Sequence, residues 1–463
     1  MKGIGIIICF LMTCGIASAQ DLTVITQVNV INMKDSGVLR NKSVWIEKGK
    51  ITGINNRVPG NNRVCRVIDG KGKYLIPGLM DMHAHFFYEQ GDHRNTNEKE
   101  LKTMLANGLT TVRIMAGHPA YLEAREKISK GEWIGPKLYV ASPQIVGRWP
   151  WSPKFENFGL VTTPEEAREK VFRFKKEGYD EIKITFMVKK EVYDAIFEAA
   201  REAGIKVTGH VGPMVKLPSA LKQKVQIEHM DEFIDMLLPD SSYNHGESVS
   251  DMNLWRQNAW STVPHLKEDK MPSLVKQVKD AGIYVTPTNY FFLSCFGSEQ
   301  TEESIKNKPD YKYIPEELLA ERWQIRQRRL DMKIPESSLE KYRRIRHKMV
   351  NELWKAGVPL MAGSDSPEWF LVTGFSIHDE LESFVKSGLS PFAALQTATV
   401  NTSRYLGTVH SKGMIDNDYD ADLIILDQNP LEDIRNTRTI QGVLKDGIWF
   451  DRKELDGFLG KEP

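Results

Sequence analysis

The period of the apolar positions changes along the chain. From residue 22 to residue 75 they alternate, or cluster in short Val- and Ile-rich runs: "LTVITQVNVIN", "KSVWIEKGKITGI" and "RVIDGKGKYLIPG", with Gly and Asn between them. A period of two broken by turn-forming residues predicts β-strands. The texture returns from about Gly413 in "ADLIILDQNP" and "GVLKDGIWF". The chain is β at both ends and not in the middle. One small β domain assembled from residues 20–76 and 410–463 is the economical expectation, with a larger domain, 77–409, inserted in it.

The middle alternates strand with helix. Strand-like runs fall at 79–85, 109–115, 137–142, 180–185, 205–210, 224–229, 283–288 and 359–365. Most are separated by helical stretches. "TPEEAREKVFRFKKEG" has Thr163 as its N-cap, acidic residues in its first turn and Gly178 to end it. "KEVYDAIFEAAREAG" closes on Gly204. Eight such repeats predict an α/β fold, a (β/α)₈ barrel of the TIM type. Residues 231–282 and 289–350 break the repeat, being long, charged and rich in Trp, Tyr and Arg. Within them "EELLAERWQIRQRRLDMKIPESSLEKYRRIRHKMV" reads as one or two exposed helices. Both a solvated excursion and a lid over the barrel mouth fit that pattern.

Composition narrows the function classes. The 463 residues, 41% hydrophobic and 27% charged, suffice for a large α/β core and a smaller domain. With 62 basic and 61 acidic residues, a net charge of +1 and no basic block, nothing points to nucleic acid or an anionic membrane surface. The opening "MKGIGIIICFLMTCGIASAQ" has a positive start at Lys2, an apolar run from Ile4 to Ile16 and the small-x-small pattern Ala17-Ser18-Ala19. Residues 1–19 therefore read as a secretory signal peptide, and the run is too short for a membrane span. The expected location is periplasmic or secreted. Lipoprotein anchoring through Cys14 is the weaker alternative, because Thr13 is a poor residue before such a cysteine. No later apolar run is long enough for an integral span. Only Cys65 and Cys295 follow the signal, too few for a disulfide framework.

The chemistry gathers at the ends of the expected strands. In Leu79-Met80-Asp81-Met82-His83-Ala84-His85, the two histidines stand two apart and so face one side of a strand. Paired imidazoles at the end of a barrel strand make a chelating pair. On the fourth strand Ile182 and Ile184 suit the outward face, which turns Lys183 inward, where an ammonium is expensive to bury. Two fates are open to it: pairing with Asp365, or reaction with carbon dioxide to a carbamate able to bridge two cations. The fifth and sixth strands end in His210 and His229, and the eighth in Gly363-Ser364-Asp365. Barrel enzymes place their chemistry at these strand ends. Imidazoles and carboxylates without a cysteine cluster suit zinc or a similar divalent ion in a catalytic role. A metal-activated water near pKa ~7 can attack a carbonyl, and Asp365 can carry the proton.

These residues resemble the amidohydrolase superfamily, in its imidazolonepropionase-like and prolidase-like branch (the Xaa-Pro or Xaa-Arg dipeptidase type). The resemblance spans nearly the whole mature chain, through "LIPGLMDMHAHF", "NGLTTVRIMAG", "GYDEIKI", "TGHVG", "IEHM", "AGSDSP" and the tail "SIHDELESFVKSGLSPFAALQTATVNTSRYLG" with "KGMIDNDYDADLIILDQNPLEDIRNT". It implies that His83, His85, Lys183, His210, His229 and Asp365 are metal ligands, with Asp365 also the proton shuttle. It further implies two zinc ions bridged by carbamylated Lys183, one ion being the alternative, and a small β-sandwich made from both termini. Deaminating and imidazolone-hydrolysing relatives carry Glu three residues after the fifth-strand His, where this chain has Pro213. That departure favours amide hydrolysis, with a dipeptide or other small molecule as substrate. A cyclic-amide hydrolase or deaminase on the same scaffold is the competing enzyme, and a non-catalytic binding protein the competing class. A homo-oligomer is compatible with the resemblance. Arg148-Trp149-Pro150-Trp151 and His118 are candidate substrate contacts, and His378 reads as supporting or structural.

Overall fold

The computed structural model describes residues 22–58, 66–87, 94–148, 159–244, 254, 257–296 and 300–460. The expected signal peptide, Cys14, Cys65 and Trp149–Trp151 lie outside the described residues.

Both chain ends enter one mixed sheet. Its early strands are β1 (Leu22–Val30), β2 (Leu39–Glu47), β3 (Lys50–Asn55), β4 (Arg66–Asp69) and β5 (Tyr74–Pro77). Strands β13 (Leu423–Leu426), β14 (Ile440–Lys445) and β15 (Ile448–Asp451) complete it from the other end. The order is β15-β14-β13-β5-β1-β2-β3, with β4 pairing β1. The seam between the two ends is the antiparallel pair β5–β13, in which Leu75 faces Ile425 and Ile76 faces Ile424. Period-two alternation gives this sheet two buried faces. Leu75, Leu423 and Ile425 join Val44, Ile46 and Ile51 in a small core. Ile76, Ile424 and Leu426, one residue out of phase, pack into the large core of the rest of the chain.

The middle of the chain is α/β. Strands β6 (Leu79–Ala84), β7 (Leu109–Ile114) and β8 (Lys137–Val140) form one parallel sheet. Strands β9 (Glu181–Ile184), β10 (Lys206–Gly209), β11 (Gln226–Glu228) and β12 (Val285–Thr286) form another. Every residue of β6, β7 and β9 is buried, as expected of parallel strands covered on both faces. The sheets approach at an isolated parallel bridge, Ala141 to Glu181. The run 359–365, expected as the eighth strand, is not a regular strand. It meets its neighbours through the bridges Leu360 to Val285 and Ser366 to Ala84, and through Asp365 N–H to His83 O at 2.7 Å.

The helix signals hold in detail. Thr163 caps Pro164–Glu177 in a reciprocal capping box with Glu166, and Gly178 and Gly204 close their helices in the left-handed conformation. The charged stretch after residue 315 departs from expectation. It forms two helices, Glu316–Asp331 and Glu336–Lys355, and the second is not an exposed excursion. Leu339, Tyr342, Ile345, Met349, Val350 and Leu353 recur at helical spacing and are buried, so this helix belongs to the core. Among the described residues no helix is long and apolar enough to cross a membrane.

Candidate metal centre

Strand β6 delivers the paired histidines. His83 and His85 are 1% and 6% exposed, and their ring centroids lie 5.3 Å apart. Both reach the same carboxylate oxygen: Asp365 Oδ1 is 3.4 Å from His83 Nε2 and 3.3 Å from His85 Nε2. Donor atoms of these three residues all lie within 4.8 Å of one another. The other carboxylate oxygen, Oδ2, is 3.5 Å from His229 Nδ1. The His229 ring stands 4.5 Å from that of His83 and 4.3 Å from that of His210. Lys183 is buried on β9, and after burial its charge is among the causes that lower His83, His210 and His229. The structure thus brings His83, His85, His210, His229 and Asp365 to one buried place, with Lys183 buried on β9.

Burial first, and neighbouring cations second, hold His83, His210 and His229 well below the usual imidazole range. They are neutral at physiological pH, the form in which imidazole binds a metal. Four imidazoles and a carboxylate, without cysteine, are the donor types of a catalytic divalent-metal site. Three residues at these strand ends have strained backbones. His229, Thr288 and Asp365 have φ of +69°, +42° and +55°, a region that non-glycine residues rarely occupy. Gly363 lets the eighth segment approach: a Cβ there would stand 2.8 Å from His83 Cβ and collide with Thr286 Cγ2.

A layer of charged residues that the sequence reasoning missed orients this cluster. Glu228 Oε2 meets His83 Nδ1 at 2.7 Å, leaving Nε2 for the cluster centre. Its other oxygen accepts from Arg113 Nη2 at 2.6 Å and Thr208 Oγ1 at 2.8 Å. Arg113 also donates to Met82 O, Glu181 and Gln226, so one guanidinium ties β6, β9 and β11 together. A carboxylate behind a ligating histidine fixes its tautomer and orientation in metal sites. Asp81 accepts from His83 N–H and Ser364 N–H, both at 3.0 Å, and from Ser364 Oγ at 2.6 Å. Burial raises its carboxyl to about 6 despite those donors. On the far side Arg346 Nη2 donates to His229 O (3.1 Å) and Pro287 O (2.9 Å), while Nε donates to Asn289 Oδ1 (3.1 Å). His229 Nδ1 and Thr288 Oγ1 are 2.7 Å apart. One signal was present in the sequence: Gln226 and Glu228 stand two apart, on one face of the strand that leads to His229.

Two other histidines have structural partners. His378 lies between Thr437 Oγ1 and Asn107 O, buried and pushed down to about 3, in keeping with a structural role. His118 caps the helix Pro119–Ser129, accepting from Ala120 N–H.

The model of the amidohydrolase family matches residues 74–449. A dihydroorotase of Carboxydothermus hydrogenoformans is 39% identical over 87 residues, 19% of this chain and 20% of that protein. An imidazolonepropionase of Geobacillus kaustophilus is 37% identical over 89 residues, 18% of this chain and 20% of that protein. The chain thus aligns with about a fifth of the length of these curated relatives. Among solved structures, a Xaa-Pro dipeptidase with methionine bound in its active site superposes with a TM-score of 0.65 at 22% identity, covering 93% of this chain and 100% of the other. At that identity the likeness concerns the fold.

Proposed function

For a chain that belongs to the amidohydrolase family, we propose the function of a metal-dependent hydrolase that cleaves a C–N bond in a small amide, with a dipeptide as substrate. The observation that carries this reading is the convergence of His83, His85 and His229 on the two oxygens of Asp365, with the His210 ring against His229. His83, His85, His210, His229 and Asp365 would hold zinc or a similar divalent ion, and Lys183, as its carbamate, would bridge a second. Bound there, the metal lowers the pKa of water and polarises a carbonyl.

The chain's own residues supply the rest. Glu228 fixes the His83 ring through Nδ1. Arg346 holds the backbone of His229 in its left-handed turn. Asp365 takes the proton of the attacking water and delivers it to the leaving nitrogen, so that water adds across the C–N bond. The burial of these groups keeps bulk solvent from competing.

The isolated bridges at Ala141, Leu360 and Ser366 support a reading of the two parallel sheets as one eight-stranded barrel. On that reading residues 77–409 are the barrel and the mixed sheet is the composite small domain. The signal-like first 19 residues support export to the periplasm or beyond. A cyclic-amide hydrolase is the alternative on this scaffold, and Pro213 stands against a deaminase. The test is a dipeptide library incubated with zinc-loaded protein. Release of free amino acids supports the proposal. Turnover of cyclic amides or lactones with every dipeptide left intact overturns the peptidase assignment.

A further inference from the structure

A concavity lined by Phe87 and Thr373 lies on the flank of the site. Its volume is about 390 Å³, within the range of small-molecule pockets. It opens between the helix Arg94–Ala106, residues 312–315 and the pair Val372-Thr373. Its apolar lining includes Phe87, Ile314, Pro315 and Val372. The cations are Lys99 and Lys312. Lys102, on the same helix as Lys99, is matched by Glu98. Lys99 and Lys312 have no carboxylate within ion-pair distance among the described residues, and Lys312 rests over the Tyr313 ring at 5.1 Å. The buried acid in the cavity, Glu100, is held in its protonated form near neutral pH by burial, which raises its carboxyl to about 8. Both its oxygens accept the Phe87 N–H, at 3.2 and 3.0 Å, and the Arg322 guanidinium acts on it electrostatically.

The cavity therefore offers two exposed ammonium groups, without a carboxylate at ion-pair distance among the described residues, together with an apolar lining. We propose that it is a binding site, separate from the histidine cluster, for a small molecule that carries a carboxylate. The carboxylate is held by Lys99 and Lys312, and the apolar part lies on Phe87, Ile314, Pro315 and Val372. An occupant there bears on the metal centre through two backbone links. Phe87 follows His85 by two residues, and Thr373 Oγ1 donates to His85 O at 3.4 Å. The inference stands whichever C–N bond the enzyme cleaves.

The probe is N-acetyl-L-leucine, compared with its uncharged counterpart N-acetyl-L-leucinamide by titration calorimetry on the full chain. Three proteins are titrated: wild type, Lys99→Met/Lys312→Met and Asp365→Asn. The expected result is binding of the acid by wild type and by Asp365→Asn, about tenfold tighter than the amide, with that preference lost in the double variant; tenfold corresponds to ~1.4 kcal/mol. Equal binding of acid and amide overturns the proposal, as does undiminished binding in the double variant. Loss of binding in Asp365→Asn alone would place the probe in the histidine cluster and also overturn it, as would the absence of any binding. Dipeptide hydrolysis, measured separately, tests the proposed function without bearing on this site.

Discussion

Glu228 places one carboxylate oxygen on His83 and the other on Arg113, so its charge is shared between the histidine cluster and the scaffold. Replacing it with Gln keeps the shape and removes the charge that polarises the imidazole. Glu228→Gln is expected to weaken zinc binding by roughly 10–100-fold, read by competition with a chromophoric chelator; an unchanged affinity would contradict the role given to Glu228. A second carboxyl makes a prediction about pH. Burial raises Glu100 from 4.5 to about 8 in the folded chain. Between those values the folded state holds a proton that the unfolded state has released. The stability associated with Glu100 is therefore complete below pH 4.5 and lost as pH rises through about 8. In Glu100→Gln, thermal unfolding should fall less steeply over pH 5–8 than in wild type. Parallel profiles for the two proteins would contradict a raised Glu100.

At the scale of elements, the eighth segment reaches the cluster only because Gly363 has no side chain. Gly363→Ala would press a Cβ against His83 and Thr286. A loss of roughly 1–3 kcal/mol in stability is expected in denaturant unfolding, together with weaker metal retention; wild-type values for both would contradict the close approach. The helix Glu336–Lys355 contributes Arg346, which grips the carbonyls of His229 and Pro287. Arg346→Lys keeps the charge but not the fork, so metal affinity should fall even where the melting temperature changes little. Retained affinity would leave Arg346 a packing residue.

The same elements explain what the sequence made legible. His83 and His85 were readable because period two is a local property of a strand, and Thr163 and Gly178 because caps are local too. Glu228 behind His83 is 145 positions away in sequence, and Arg346 is 117 from His229. Nothing local reports such pairings. The helix Glu336–Lys355 looked exposed because its charged residues outnumber its apolar stripe, although the stripe has the spacing of a buried face.

At the scale of the molecule, the mixed sheet joins the two chain ends through β5 and β13, one residue before Gly78 and the start of β6. The small core and the large one share this sheet, and the strand carrying His83 follows directly on β5, whose Leu75 and Ile76 pack into the one and the other. Chelation should therefore remove activity without unfolding the chain. Far-ultraviolet circular dichroism of chelated protein is expected to match the loaded form, whereas collapse of the spectrum would make the metal a folding element instead.

The central claim, that the six residues form a metal centre for C–N hydrolysis, is tested most directly by counting bound metal. Atomic emission analysis of wild type and Lys183→Ala, both loaded with zinc and desalted, should give two equivalents per chain in the first and fewer in the second. Wild-type protein that retains no zinc would contradict the account, and one equivalent held alike by both proteins would contradict the bridging role of Lys183.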